Sequence, residues 1–289
     1  MAVVSSSSPL TARRKLGTEL RVLRDRLGLT TDEVASALNC HNSKVSRFEL
    51  AKRSCTRRDF EALMELYEVD DEKRAELAEL FTKGRQRIPP WWQAHADVIS
   101  ANYAEFLAYE AEAGRSREYQ ALLIPGLLQT EHYARAITST GFAALGPDQV
   151  DSLVEVRMRR QQRLREDDPL VLEAVVTEAA LRLQVGGAEV MREQLRHLAR
   201  VAELANITFR VIPFTAGENG TATGAFTLFS DRDQDAADVA FIESAEATTF
   251  RDDPLALRRL DRLFRNLSGA ALTEDDTHKL IERVEKETV

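Results

Sequence analysis

Leu16, Leu20, Leu23 and Leu27 recur at intervals of three and four residues, and the run stops at Gly28. That spacing lays one apolar stripe along a helix, and a glycine just past the last leucine is a helix stop. Thr30 and Glu33 then stand in the S/T-x-x-E arrangement of a capping box, so a second helix is predicted to start at once and to close near Leu38. "NCHN" reads as a turn, and residues 42–50 as a third short helix. "TRRD", Thr56 to Asp59, repeats the capping pattern. It opens a fourth helix with Phe60, Leu63, Met64 and Tyr67 on its buried side. Asp70 or Asp71 opens a fifth, carrying Leu77, Leu80 and Phe81.

Charge divides the chain unevenly. Between Arg13 and Arg58 stand twelve Lys or Arg against five Asp or Glu, a net of +7. The whole chain carries -8, so the remainder carries -15. Such a split is what a basic binding module joined to an acidic domain produces. On charge alone, a helical domain with an Arg-rich surface explains it equally well.

Five short helices with a tight turn between the second and third match a helix-turn-helix domain. The stretch "LRVLRDRLGLTTDEVASALNCHNSKVSRFELAKR" resembles the XRE family, the Cro-like and phage-repressor-like helix-turn-helix proteins. The shared pattern is a Leu-Arg-rich first helix, a Gly-Leu-Thr turn, and a third helix of the form Ser-x-Val-Ser-x-x-Glu. The resemblance implies that the third helix is the recognition helix, anchored by Val45 and Phe48, with its polar face toward the major groove. Asn42, Ser43, Lys44, Ser46 and Arg47 then fall at or beside base-reading positions. Arg47 suits a guanine, and Asn42 an adenine or a phosphate. Thr31, Lys52, Arg53, Arg57 and Arg58 are expected on the phosphate backbone. Arg24 and Glu49 fall where the family has a structural ion pair between the first and third helices. His41 is expected as a turn residue rather than a phosphate contact. Cys40 and Cys55 are too few and wrongly spaced for a disulfide framework or a zinc site, and read as reduced cytosolic thiols.

"KGRQRIPPWW" breaks the helical pattern, because Pro89 and Pro90 stop any helix. The expected organisation is a flexible tail over 1–12, the DNA-binding domain over 13–88, and an effector- or partner-binding and dimerisation domain over 89–289. Trp91 and Trp92 are expected to pack in the core. Residues 98–165 carry a helical signal. Its end, "RMRRQQRLR", holds five arginines and reads as a solvated face with local ion pairs. Four strands are then expected in "PLVLEAVVTE", "NITFRVIPF", "GAFTLFSD" and "DVAFIESA", with helices over 188–205, 254–268 and 273–287. The fold class is therefore mainly α: a five-helix helix-turn-helix domain followed by a larger α+β domain with a small sheet.

"IPGLLQTEHYARAI", "EAALRLQVGGAEVMREQLRHL", "FRVIPFTAGENGTATGAFTLFSD" and "VAFIESA" resemble the C-terminal domain of a large group of actinobacterial XRE regulators. That domain is of unknown function, and the group is described as antitoxin-like and WhiJ-like. The resemblance implies a transcription regulator, often encoded beside a small acidic partner protein. It transfers no catalytic residue. The Gly-rich stretch 214–224 lacks a P-loop Lys-Ser/Thr and reads as a turn connection. Glu173, Glu178 and Glu243 lie on or next to strands and can converge, but there is no GxSxG, no HExxH and no Cys/His pairing. No enzymatic activity, metal or cofactor is expected. "MAVVSSSSPL" is not a secretory signal, and no apolar run reaches the roughly 18 residues of a membrane span.

The expected function is thus a cytoplasmic, nucleoid-associated homodimer that binds double-stranded DNA at an inverted-repeat operator. A small protein or ligand would control it through the second domain. The alternative is an antitoxin-like protein that neutralises a small partner and binds DNA for autoregulation. A small reading frame directly downstream would favour that alternative, and scattered genomic sites would favour the regulator.

Overall fold

The computed structural model describes residues 9–51, 54–85, 90–140, 145–220, 224–232, 237–244 and 248–288. The chain divides into two compact units, Met1–Pro90 and Trp91–Val289.

The first unit is five helices: α1 (Pro9–Arg26), α2 (Thr31–Ala37), α3 (Asn42–Glu49), α4 (Arg57–Leu66) and α5 (Asp71–Gly84). α1 begins at Pro9, so residues 9–12 are helix rather than tail. Proline suits a first helical position, whose N–H has no partner to lose, and Ala12 is already fully buried. Leu16, Leu20 and Leu23 enter one core with Val34, Val45, Phe48, Phe60, Leu63, Met64, Tyr67 and Leu77. Each such fully buried Leu or Phe contributes roughly 1.5–3 kcal/mol. Leu27 departs from the expected stripe and stays 40% exposed. The helix has ended at Arg26 by then, and Gly28 turns the chain away in the left-handed region at φ 68°. Gly17 was not singled out by its sequence context. Its bare backbone lies against the last turn of α3, where an added Cβ would sit 2.5 Å from the Glu49 carbonyl oxygen.

The second unit is built on a six-stranded mixed sheet in the order β3-β2-β1-β4-β5-β6. The strands are β1 (Arg115–Gln120), β2 (Val171–Thr177), β3 (Ile207–Ile212), β4 (Ala225–Ser230), β5 (Val239–Glu243) and β6 (Thr248–Arg251). β1, β2 and β3 run parallel, while β4, β5 and β6 extend the other side in antiparallel fashion. The helices are α6 (Ala101–Glu112), α7 (Glu131–Ser139), α8 (Pro147–Arg160), α9 (Glu178–Arg182), α10 (Ala188–Val201), α11 (Pro254–Ala270) and α12 (Glu274–Glu287). One sheet face, with Leu172, Ala174, Phe209, Phe229 and Phe241, packs on α6, α10 and α12 through Phe106, Leu195, Leu198, Leu280 and Ile281. The other face, with Tyr119, Val175, Phe226 and Leu228, is covered by Phe264 and Leu267 of α11.

Two strands were not expected. β6 is four residues long. β1, the central strand, lies inside the stretch expected to be helical. "RSREYQ" has no apolar period, yet Ser116 through Gln120 are all buried. Some of their polar groups are met by neighbours: Arg117 pairs with Asp261 at 2.8 Å and Glu118 accepts from Gln120 Nε2 at 2.9 Å, while half-buried Arg115 pairs with Glu173 at 3.5 Å. Among the described residues no helix is long and apolar enough to cross a membrane.

Candidate nucleic-acid interface

α2 and α3 are set against each other by their caps. Thr30 Oγ1 accepts from the Glu33 amide at 3.2 Å, and Glu33 Oε2 accepts from the Thr30 amide at 2.7 Å. The turn closes through Asn39 at φ 50°, a conformation asparagine tolerates better than most residues, and the Cys40 amide donates to Ala35 O at 2.9 Å. His41 is the N-cap of α3, where its Nδ1 accepts from the Ser43 amide at 3.3 Å. It is a structural turn residue.

Val45 and Phe48 are buried, which turns the opposite side of α3 outward. Ser43 and Arg47 are exposed there, and Ser46 is half-exposed. Arg47 Nε donates to Ser43 O at 3.0 Å, which folds the side chain back along its own helix. Arg47 makes no ion pair among the described residues, so its guanidinium is available to an incoming acceptor. Asn42 lies beside this face, but its Nδ2 donates to Asp32 Oδ1 at 2.7 Å and ties the first turns of α3 and α2 together.

Lys44 departs from the expectation. It lies on the flank of α3 next to Phe48, and its Nζ sits 2.9 Å from Asp59 Oδ1 at the start of α4. It clamps two helices together. Burial alone would raise the Asp59 carboxyl, but hydrogen bonds from Lys44 and Thr56 hold it below its ordinary value. Asp59 also closes the capping box of α4 with Thr56. Only that capping role was legible in "TRRD". A carboxylate with a second oxygen to spare, next to a lysine-bearing helix, was the signal for the clamp.

Arg24 and Glu49 form a two-pronged pair, Nε to Oε1 at 2.6 Å and Nη2 to Oε2 at 3.0 Å. The side chains are 11% and 7% exposed. Arg24 also donates to Leu29 O at 2.9 Å, so one guanidinium joins α1, the loop before α2, and the end of α3. The hydrogen bonds that Arg24 donates to Glu49 raise its guanidinium above its ordinary value, against the opposing effect of burial.

Among the phosphate candidates, Thr31 is half-buried at the first position of α2, and Arg57 and Arg58 are exposed on the first turn of α4. A helix N-terminus carrying exposed arginines is a favourable place for phosphate oxygens. Lys52 and Arg53 lie outside the described residues. Cys55 is buried, which pushes its thiol up to about 12 and leaves it protonated.

In the second unit the arginine run is only partly a solvated face with local ion pairs: Arg159 and Arg165 are exposed and Arg163 pairs with Glu166 at 3.2 Å, but the other contacts reach inward. Arg160 is buried on Glu110, Arg163 donates to the carbonyls of Ala113 and Asp168, and Arg159 lies 4.7 Å from the centre of the Trp91 ring. Only Arg165 of the five is exposed without a described contact. Trp91 and Trp92 are half-buried against the core. The three carboxylates do not converge. Glu173 pairs with Arg115, Glu178 accepts from the Phe214 amide and pairs with Arg182, and Glu243 stands apart on β5. Residues 214–220 of the Gly-rich stretch form a kinked 3-10 segment, and 221–223 lie outside the described residues.

No curated protein and no solved structure matches the chain. Residues 15–77 match the family described as Helix-turn-helix domain, the region that holds most of α1, all of α2–α4 and the capping and ion-pair contacts of the first unit described above. Residues 103–283 match the family described as Domain of unknown function (DUF5753), and the chain belongs to that family.

Proposed function

We propose that the protein is a sequence-specific transcriptional regulator of the XRE type, in the WhiJ-like, antitoxin-like group. It reads DNA with α3 and is controlled through its second unit by a small protein or ligand. The observation that supports this best is the outer face of α3. Ser43, Ser46 and Arg47 stand together on a helix whose tilt is fixed by Arg24–Glu49 on one side and Lys44–Asp59 on the other. Rigid support is what base reading demands, since a bidentate contact discriminates by about 1–3 kcal/mol only when its geometry is kept. The role is one of binding, not catalysis, and its setting would be the nucleoid in the cytoplasm.

A lone helix-turn-helix reads few base pairs, so the regulator is proposed to act as a homodimer on an inverted repeat. Half-site centres would lie about 34–36 Å apart or a multiple of that. The test is genome-wide mapping of bound sites with the full chain, followed by affinity measurements on the recovered sequence. Affinity is expected to fall linearly in log-log form with salt. Arg47→Ala should cost about 1–3 kcal/mol and relax preference at one base pair, while Arg57→Ala should weaken all sequences alike. Salt-insensitive binding, equal loss of preference from both substitutions, or a monomer on a single half-site would overturn the reading.

A further inference from the structure

The second unit contains a cavity of about 150 Å³ between the sheet and the helices α6 and α8. Its wall is partly apolar, with Phe106, Ile124 and Ile137, and partly charged. The charges are not all spent on one another. Arg160 is committed: Nε and Nη2 each meet a Glu110 oxygen at 2.6 Å, and Nη1 donates to Tyr103 Oη at 3.2 Å. That leaves Arg157, Glu118 and Glu243.

Arg157 Nη1 donates to Gln129 Oε1 at 2.9 Å, a neutral acceptor. Its Nε is buried without a hydrogen-bond partner, and the side chain makes no ion pair among the described residues. Glu118, on the central strand, is buried and among the described residues accepts only from Gln120 Nε2 at 2.9 Å. No described cation is paired with it. Glu243 lines the same cavity from β5 and is exposed at its rim. Leaving a buried guanidinium nitrogen and a buried carboxyl without ionic partners in one cavity is costly unless something else completes them.

We propose that this cavity binds a small amino carboxylate of free amino-acid size, its carboxylate on Arg157 and its ammonium on Glu118 and Glu243. The size follows from the volume, since a 150 Å³ cavity takes a molecule of about benzene's bulk. The charge follows from what is left unpaired: one cation inside, one carboxyl inside, one carboxyl at the rim. Phe106, Ile124 and Ile137 provide room for a short apolar side chain.

The titration of Glu118 accords with this and supplies a readout. Burial raises its carboxyl to about 7. The Glu243 and Glu110 carboxylates push in the same direction, and Gln120 and Arg160 oppose them. Arg157, Glu243, Arg160, Glu110 and Tyr103 are the titratable groups around the cavity. An ammonium arriving at Glu118 stabilises its ionised form, so binding near neutral pH should release protons.

This inference names the effector for the regulator proposed above and rests on that reading for its consequence only. Binding is measured without DNA, so the two fail separately. The full chain is titrated calorimetrically with each free L-amino acid up to millimolar concentration, in buffers of different ionisation enthalpy. Any binder is then compared with its amide, which lacks the carboxylate, and its des-amino acid. At least one amino acid is expected to bind with proton release. Loss of either ligand charge, Glu118→Gln, or Arg157→Gln should each weaken it about tenfold or more, and Glu118→Gln should abolish the proton release. If a variant fails to fold, the analogue series and the proton release on the native chain decide the matter. Absence of binding by every amino acid, equal binding of a one-charge analogue, or unchanged binding in a folded Glu118→Gln variant would each overturn the proposal.

Discussion

Lys44 leaves α3 sideways and meets Asp59 at 2.9 Å, so the lysine in the middle of "NSKVSRFE" holds α3 to α4. The carboxylate is 9% exposed, the ammonium 26%. Among the described residues, removing the lysine leaves a nearly buried carboxylate with only its capping partner Thr56. Lys44→Ala should therefore cost about 1–3 kcal/mol of stability and leave base preference unchanged. Amide exchange at Val45 and Phe48 is the direct measurement. The pH dependence has a definite sign. The folded carboxyl of Asp59 lies below its unfolded value, so its contribution is complete above about pH 4 and is lost as pH falls further through the folded value. Exchange protection of α3 should fall in that acid window in the native chain, and fall less in Lys44→Ala. A base-specific loss of DNA affinity in Lys44→Ala would return Lys44 to the reading face.

Gly17 is the second place where α3 is positioned from behind. A methyl group there would lie 2.5 Å from Glu49 O and 2.7 Å from Phe48 O, both backbone atoms that cannot rotate away. Alanine normally favours a helix interior by about 1 kcal/mol over glycine. Here the close approach should reverse the sign, with Gly17→Ala destabilising the first unit by about 1–3 kcal/mol and weakening DNA binding on all sequences together. A stabilised Gly17→Ala protein would mean that α1 and α3 do not pack this closely.

The first unit was largely legible because its elements announce themselves locally. Thr30, Glu33, Thr56, Asp59 and Asp70 mark helix starts, and Val45 and Phe48 mark the buried side of α3. Contacts between helices were less visible: nothing in "KLGTEL" tells that Gly17 faces a carbonyl, and nothing in "NSKVSRFE" separates Lys44 from Arg47. The second unit hid its centre. β2, β3, β4 and β5 are apolar and were found, whereas β1 is built of Arg115, Ser116, Arg117, Glu118, Tyr119 and Gln120. Hydrophobic period can reveal only strands that are buried against carbon. β1 is buried against Asp261, Glu173 and a polar cavity, and each of those partners lies far along the chain. The burial of Arg160 at the end of α8 was hidden for the same reason, since its partner Glu110 is 50 residues away.

The pair Glu110–Arg160 tests that account. Both side chains are below a tenth exposed, at 5% and 8%, and their hydrogen bonds are two-pronged. Arg160 is raised well above the ordinary guanidinium value. Burial opposes the shift, while Glu110 and Tyr103 outweigh it. Glu110→Ala strands a buried cation and should cost about 3–5 kcal/mol. Replacing both residues by apolar ones of similar size, Glu110→Leu with Arg160→Met, removes the desolvation penalty along with the attraction. It should cost less than Glu110→Ala alone. Both tryptophans, Trp91 and Trp92, belong to the second unit, so urea unfolding followed by tryptophan fluorescence reports on that unit selectively. A double variant less stable than Glu110→Ala would mean that the pair is required for more than the mutual compensation of two buried charges.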